Sequence, residues 1–325
     1  MKMRRHDLPQ LLVINPPGLF DYGDPFAAKF TVLRAWESPL PLPRFLSAHA
    51  QSAPALLCSA ATRVTAGLLD LLPSLRIIVT TSAGLNHIDV PECRRRGIAV
   101  ANAGEVFSDD VADAAVGLAL DVLRRVSAAD RFVRRGLWAK DGDFALGSKQ
   151  LVGKRVGIVG LGSIGLQVAK RLEAFGCPVS YNSRTKKPSV SYTFYANVYE
   201  LAANSDILII CCALTEQTRH MIGKSVLLAL GKDGIIINVG RGAIIDEKEL
   251  VQSLVWGEIR GSGLDVFENE PNVPEELLSL DNVVLSPHVA AFTEESFQDL
   301  TELMIANLEA FFSNKPLITP VMDKQ

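Results

Sequence analysis

A chain of 325 residues has room for two domains at about 150 residues each. Hydrophobic residues make up 48% and charged residues 21%, a balance that excludes a disordered or fibrous chain. With 33 Lys and Arg against 36 Asp and Glu, the net charge is −3, whereas a nucleic-acid binder carries a basic excess.

The start, Met1 to His6, is basic, but no adequate apolar segment follows before Asn15-Pro16-Pro17, so no secretory signal is expected. No apolar run reaches the roughly 18 residues of a membrane helix. The longest, from Ile207 to Leu214, reads as a buried strand. Cys58, Cys93, Cys177, Cys211 and Cys212 form no CxxC pair; such a scattered, odd set suits reduced thiols in a cytosol-like compartment. The tail from Met322 to Gln325 is not the Ser-Lys-Leu peroxisomal address, which leaves the cytosol as the expected location. The run Arg94-Arg95-Arg96 reads as a solvated helix end before Gly97.

In the first hundred residues, strands are predicted at Leu11–Asn15, Ala55–Ser59, Arg76–Thr80 and Ile98–Ala101. Helical segments such as Thr65–Leu72 lie between them, and Pro73 stops that one. A long helix begins near Ser108, with Ser108 as its expected N-cap and Asp109 and Asp110 at the positive end of its dipole. Val111, Ala114, Ala115, Leu118 and Val122 give that helix one buried stripe. Strands follow at Arg155–Val159, Pro178–Tyr181, Asp206–Cys212, Ile235–Val239, Ser262–Val266 and Val283–Leu285. Alternation of strand and helix predicts an α/β chain with parallel sheets. Ligands of such sheets bind at the carboxyl ends of the strands.

Gly160-Leu161-Gly162-Ser163-Ile164-Gly165 follows the strand ending at Val159 and opens a helix running to about Phe175. In this strand–turn–helix context GxGxxG predicts a dinucleotide site. Gly160 permits the tight turn, Gly162 lets a pyrophosphate approach the backbone, and Gly165 allows close helix–strand packing; the phosphates then face the helix N-terminus. The next strand leads into Asn182-Ser183-Arg184-Thr185-Lys186-Lys187, without the acid that hydrogen-bonds the 2′-hydroxyl of NAD. Hydroxyls and a guanidinium there suit a 2′-phosphate, so NADP is expected over NAD, unless the segment is a solvated turn.

Three further segments end strands: Asn238-Val239-Gly240-Arg241-Gly242, Asp265-Val266-Phe267-Glu268-Asn269-Glu270-Pro271 and Ser286-Pro287-His288-Val289-Ala290. Singly, each has a structural explanation: Arg241 could salt-bridge Asp246, Glu270 could be a loop acid, and His288 a core histidine. Together, at the cofactor edge of one sheet, an arginine, a carboxylate and a histidine point to acid–base chemistry. No His, Cys and Asp cluster has metal-ligand spacing, so no metal is expected.

These ordered motifs, with Thr81-Ser82-Ala83-Gly84-Leu85-Asn86-His87-Ile88-Asp89 and Phe107-Ser108-Asp109-Asp110-Val111-Ala112-Asp113, resemble the NAD(P)-dependent D-2-hydroxyacid dehydrogenases over nearly the whole chain. The segment Asn182 to Lys186 is most like that of the plant glyoxylate/hydroxypyruvate reductases and hydroxyphenylpyruvate reductases. The resemblance implies two Rossmann-like, doubly wound parallel-sheet domains with the active site in the interdomain cleft. Residues 1–103 and 292–325 would form the substrate domain and residues 104–291 the NADP domain. It implies that Arg241 binds and polarises the 2-oxo acid, that His288 donates the proton, and that Glu270 favours the protonated imidazole. Backbone N–H groups of Ser82, Ala83 and Gly84 would hold the substrate carboxylate, and Asp265 would orient the nicotinamide amide. Ala213, Leu214, Val239 and Gly240 would line the cofactor. Ala213 stands where many members have proline, which loosens the adenosine edge.

The stretch Val116–Gln150 is similar to the arm through which such enzymes dimerise, so a homodimer is expected, with no nucleic-acid or membrane partner. Trp138 in that arm reads as interface packing or as an aromatic reaching the partner's pocket. Pocket size, set by loops around Phe20–Phe30 and Trp138, chooses between glyoxylate or hydroxypyruvate and the alternative, 4-hydroxyphenylpyruvate. His87 beside the carboxylate loop reads as structural or substrate-facing. The vicinal Cys211-Cys212 reads as buried packing rather than a redox switch. Formate oxidation is disfavoured because Glu270, not an amide, pairs the histidine; phosphoglycerate oxidation with a regulatory extension is disfavoured by the short tail. A cofactor-sensing corepressor on the same fold is a remote alternative.

Overall fold

The computed structural model describes residues 8–20, 23–144, 147 and 149–322. The basic start and the tail residues 323–325, on which the expectations about targeting rest, lie outside the described residues. The chain divides into two compact units, Met1–Phe107 with Thr293–Gln325, and Ser108–Phe292.

In the first unit the strands are β1 (Gln10–Val13), β2 (Thr31–Arg34), β3 (Ala55–Cys58), β4 (Ile77–Thr80) and β5 (Ala99–Ala101). They form one parallel sheet in the order β2-β1-β3-β4-β5. Every residue of β3 and β4 is buried, as expected where both faces of a parallel sheet are covered. The predicted helix after β3 spans Ala66–Asp70, with Thr65 as its cap accepting from Leu68 N. Arg95 and Arg96 of the basic run both pair with Glu92 on the same helix, holding its carboxyl down at about 2. The long helix Glu294–Phe312 returns to this unit behind a capping box made by Thr293 and Ser296. Fully buried Asn307 on that helix accepts from Ile318 N and Thr319 N, fastening the tail.

The second unit holds β6 (Val156–Val159), β7 (Val179–Asn182), β8 (Thr193–Tyr195), β9 (Ile207–Ile210), β10 (Ile235–Asn238), β11 (Gly261–Leu264) and β12 (Val283–Leu285). All pair in parallel, in the order β12-β11-β10-β9-β6-β7-β8. From β6 the chain winds out through β7 and β8, then restarts at β9 and winds the other way. The β6–β9 boundary is therefore the topological switch point, where such sheets open a crevice. The long helix Ser108–Arg124 packs on β10, β11, β12 and the helix Ser163–Ala174. Ser108 is its first helical residue and is buried, rather than capping it from outside; Val111, Ala115, Leu118 and Val122 are buried as expected, whereas Ala114 is half-buried. Among the described residues no helix is long and apolar enough to cross a membrane.

Candidate active site

Tight backbone packing shapes the turn after β6. Gly160 has φ +94°, and a Cβ there would lie 2.7 Å from the Cys212 backbone just past β9. A Cβ on Gly165 would lie 2.2 Å from the Gly160 carbonyl oxygen, so the first turn of the helix Ser163–Ala174 closes on the loop only without a side chain. Gly162 has open space where its Cβ would be. The three glycines thus meet three different demands, and the open one leaves room for a pyrophosphate against the backbone. Leu161 is buried beneath the loop, and Ser163 and Ile164 begin the helix. This cradle fits a dinucleotide.

At the end of β7, Gly160 N donates to Asn182 O, which ties the glycine turn to the neighbouring strand. Ser183 Oγ donates to Thr185 O at 2.6 Å, and buried Tyr181 accepts at its hydroxyl from Lys187 N at 2.8 Å. These bonds shape the 183–187 turn and leave Arg184 exposed, with no ion pair among the described residues. Ala213 and Leu214 follow β9; Ala213 O accepts from Thr218 Oγ1, and Leu214 packs partly on the core.

At the last residue of β10, fully buried Asn238 braces the next turn by accepting from Gly240 N and donating to Arg241 O, both at 3.0 Å. Val239 and Gly240 are buried, and Arg241 Nη1 donates to Gly240 O. Burial pulls the Arg241 guanidinium down from its ordinary range, while the nearby Glu270 charge opposes that shift. Asp246 does not bridge Arg241; its carboxylate accepts from Glu249 N and caps the helix Glu247–Val255.

Glu270 Oε2 lies 2.7 Å from His288 Nδ1, and its Oε1 accepts from Phe267 N at 3.0 Å. A carboxylate can only accept, so Nδ1 carries a proton in this pair and Nε2 is left to exchange one. His288 has φ 57°, a left-handed conformation rare for a residue with a Cβ. Asp265, 2% exposed, accepts from Ser286 Oγ, Val289 N and Ala290 N of the same loop. Its carboxylate, expected to orient a nicotinamide amide, is thus engaged with the histidine loop. Asn238 and Ser286, which brace the loops of Arg241 and His288, carry no motif signal; only their place inside the quoted segments marks them.

In the first unit, the segment after β4 carries Ser82, Ala83 and Gly84. Ser82 N donates to Thr80 Oγ1 at 3.3 Å, while the N–H groups of Ala83 and Gly84 have no partner among the described residues. His87 Nε2 lies 3.0 Å from Thr80 Oγ1, which makes it a brace for this segment. Phe26 and Phe30, expected near a pocket wall, are buried in the first unit, and Phe20 stacks on Phe26; residues 21 and 22 lie outside the described residues. The expected dimerisation arm forms the helices Val126–Arg134 and Leu137–Asp141, with Val126, Val133 and Trp138 all more than half exposed; residues 145, 146 and 148 of the arm lie outside the described residues.

A family model for the D-isomer specific 2-hydroxyacid dehydrogenase NAD-binding domain matches residues 116–290. The chain belongs to the D-isomer specific 2-hydroxyacid dehydrogenases. It is 56% identical over 314 residues to glyoxylate/hydroxypyruvate reductase HPR3 of Arabidopsis thaliana, covering 96% of this chain and 97% of that one. To the hydroxyphenylpyruvate reductase of Plectranthus scutellarioides it is 51% identical, over 90% of this chain and 93% of that one. Among solved structures, the NADPH-dependent glyoxylate/hydroxypyruvate reductase of Sinorhizobium meliloti, in complex with NADP and malonate, superposes with a TM-score of 0.88. The identity there is 37%, and 96% of each chain is covered. The expected fold class, two parallel-sheet α/β domains, agrees with this likeness. This dehydrogenase is therefore an oxidoreductase with a nicotinamide-dinucleotide domain.

Proposed function

We propose that this enzyme reduces a small 2-oxo acid, glyoxylate or hydroxypyruvate, to glycolate or D-glycerate with NADPH. The observation that carries the reading is the His288–Glu270 pair, set at one sheet edge with Arg241 and the glycine cradle. Arg241, half-buried and cationic, binds the substrate carboxylate and carbonyl oxygen and polarises C2. NADPH supplies the hydride when bound. His288 donates the Nε2 proton to the carbonyl oxygen as C2 is reduced, and Glu270 balances the imidazolium before transfer. In the first unit, the N–H groups of Ala83 and Gly84, without a partner among the described residues, suit a carboxylate by themselves, and Ser82 N, turned to Thr80, does so less.

The preference for NADP over NAD rests on Ser183, Arg184 and Thr185 after β7 and on the NADP held by the relative from Sinorhizobium meliloti. We assign a homodimer to the exposed apolar side chains Val126, Val133 and Trp138. Five free cysteines suit the cytosol. The relative from Plectranthus scutellarioides favours 4-hydroxyphenylpyruvate as a second reading. Steady-state rates on glyoxylate, hydroxypyruvate and 4-hydroxyphenylpyruvate, each with NADPH and NADH, decide between them. Higher kcat/KM on the small acids with NADPH supports the first reading, and preference for the aryl acid replaces it with the second. No turnover on any of the three removes both.

A further inference from the structure

Asp265 follows β11 directly, and all its side-chain bonds run to the loop that carries His288. Oδ1 accepts from Ser286 Oγ at 2.6 Å and from Val289 N at 2.9 Å, and Oδ2 accepts from Ala290 N at 3.1 Å. Its backbone carbonyl accepts from His288 N at 2.8 Å. Four donors from residues 286–290 therefore converge on one residue that is almost wholly buried. His288, inside this ring of bonds, holds φ 57°. A left-handed residue with a Cβ persists only where its surroundings over-determine it, and the Asp265 bonds on either side supply that constraint. The same backbone turn aims the imidazole at Glu270.

We propose that Asp265 is a positioning residue for the proton donor: its carboxylate locks the 286–290 turn and so keeps His288 Nδ1 against Glu270. The proposal rests on the reading of His288 as proton donor. It assigns Asp265 work that a contact with the nicotinamide would not require. An amide in its place has one acceptor oxygen and one donor group, so Asp265→Asn sets a donor against the loop's own N–H groups. Ser286→Ala removes one of the four bonds and leaves the carboxylate intact.

The test uses the whole 325-residue chain labelled with 15N-histidine. It has five histidines, and His288→Ala assigns the His288 signals. In Asp265→Asn the His288 Nδ1 proton, shifted downfield by Glu270, moves upfield and broadens. In the same variant kcat on hydroxypyruvate falls about 10- to 100-fold, the scale of an ångström of misplacement, and affinity for NADPH changes less than about threefold. Ser286→Ala moves the same signal and lowers kcat less, by about three- to tenfold.

An unmoved His288 signal beside a fallen kcat overturns the proposal. So does a tenfold loss of NADPH affinity with unchanged binding of 2′-phospho-ADP-ribose, since that pattern puts Asp265 on the nicotinamide. If Asp265→Asn does not fold, Ser286→Ala decides alone: an unchanged signal and rate overturn the proposal. Failure of the wild-type enzyme on every 2-oxo acid refutes the proposed function instead, and the His288 signal still tests the positioning.

Discussion

Glu270 Oε2 holds His288 Nδ1 at 2.7 Å while its other oxygen accepts from Phe267 N at 3.0 Å. One carboxylate therefore orients the imidazole and is itself fixed by backbone only three residues away. The Nδ1 proton is committed to that carboxylate, so the proton passed to a carbonyl oxygen comes from Nε2.

Glu270→Gln keeps the shape, but its amide has one acceptor oxygen where the carboxylate has two, so it cannot hold both His288 Nδ1 and Phe267 N as acceptor atoms. Turnover on hydroxypyruvate should fall about 10- to 100-fold, the scale of a misplaced donor, with NADPH affinity within about twofold. Steady-state kcat and calorimetry of NADPH binding check it. An unchanged kcat means that Glu270 only packs.

Arg184 stands exposed on a turn that Tyr181 and Ser183 have already shaped. Arg184→Ala should raise KM for NADPH about tenfold or more, the worth of a charge-assisted bond to phosphate, and leave KM for NADH within about twofold. Equal losses for both cofactors would show that Arg184 does not read the 2′-phosphate.

The glycine turn separates fold from binding. A Cβ on Gly162 meets nothing within 4 Å among the described residues, whereas one on Gly165 would strike the Gly160 carbonyl oxygen at 2.2 Å. Gly162→Val should keep the melting temperature within about 2 °C, as a surface change does, and abolish measurable NADPH binding in calorimetry. Gly165→Ala should lower the melting temperature clearly, because backbone has to move. Retained NADPH affinity in Gly162→Val contradicts a pyrophosphate at this loop.

Burial pushes the Cys212 thiol up to about 11, Cys93 to about 11 and Cys58 to about 12, and it raises Cys177 and Cys211 as well. At pH 8 a thiol titrating near 11 is thiolate in about one part in a thousand, and the thiolate is the reactive form. The native enzyme should release almost no colour from a disulfide reagent over minutes, and all five thiols should react in guanidinium chloride. Rapid native loss of two thiols would restore the redox reading of Cys211-Cys212.

The sequence makes the inner strands legible because β3, β4, β6, β9 and β10 are buried along their whole length and read as apolar runs, with a polar residue only at the ends of β4 (Thr80) and β10 (Asn238). It does not show β2 and β8. Both are edge strands, Thr31–Arg34 and Thr193–Tyr195, half-exposed and without such a run. Arg241, Glu270 and His288 stand out in sequence because charged groups recur just past successive strands. Asn238, Ser286 and the engagement of Asp265 do not, because side-chain bonds to loop backbone follow no spacing rule. Thr80 and His87 brace the first-unit segment in the same unreadable way.

The central claim is that His288 gives the proton in the reduction of a 2-oxo acid. Single-turnover and steady-state rates of NADPH oxidation with hydroxypyruvate, measured on the wild-type enzyme and on His288→Ala, test it most directly. The account predicts a wild-type enzyme that turns over, a variant slower by about two to four orders of magnitude, and equal NADPH affinity in the two. A variant that keeps near-wild-type turnover would contradict it.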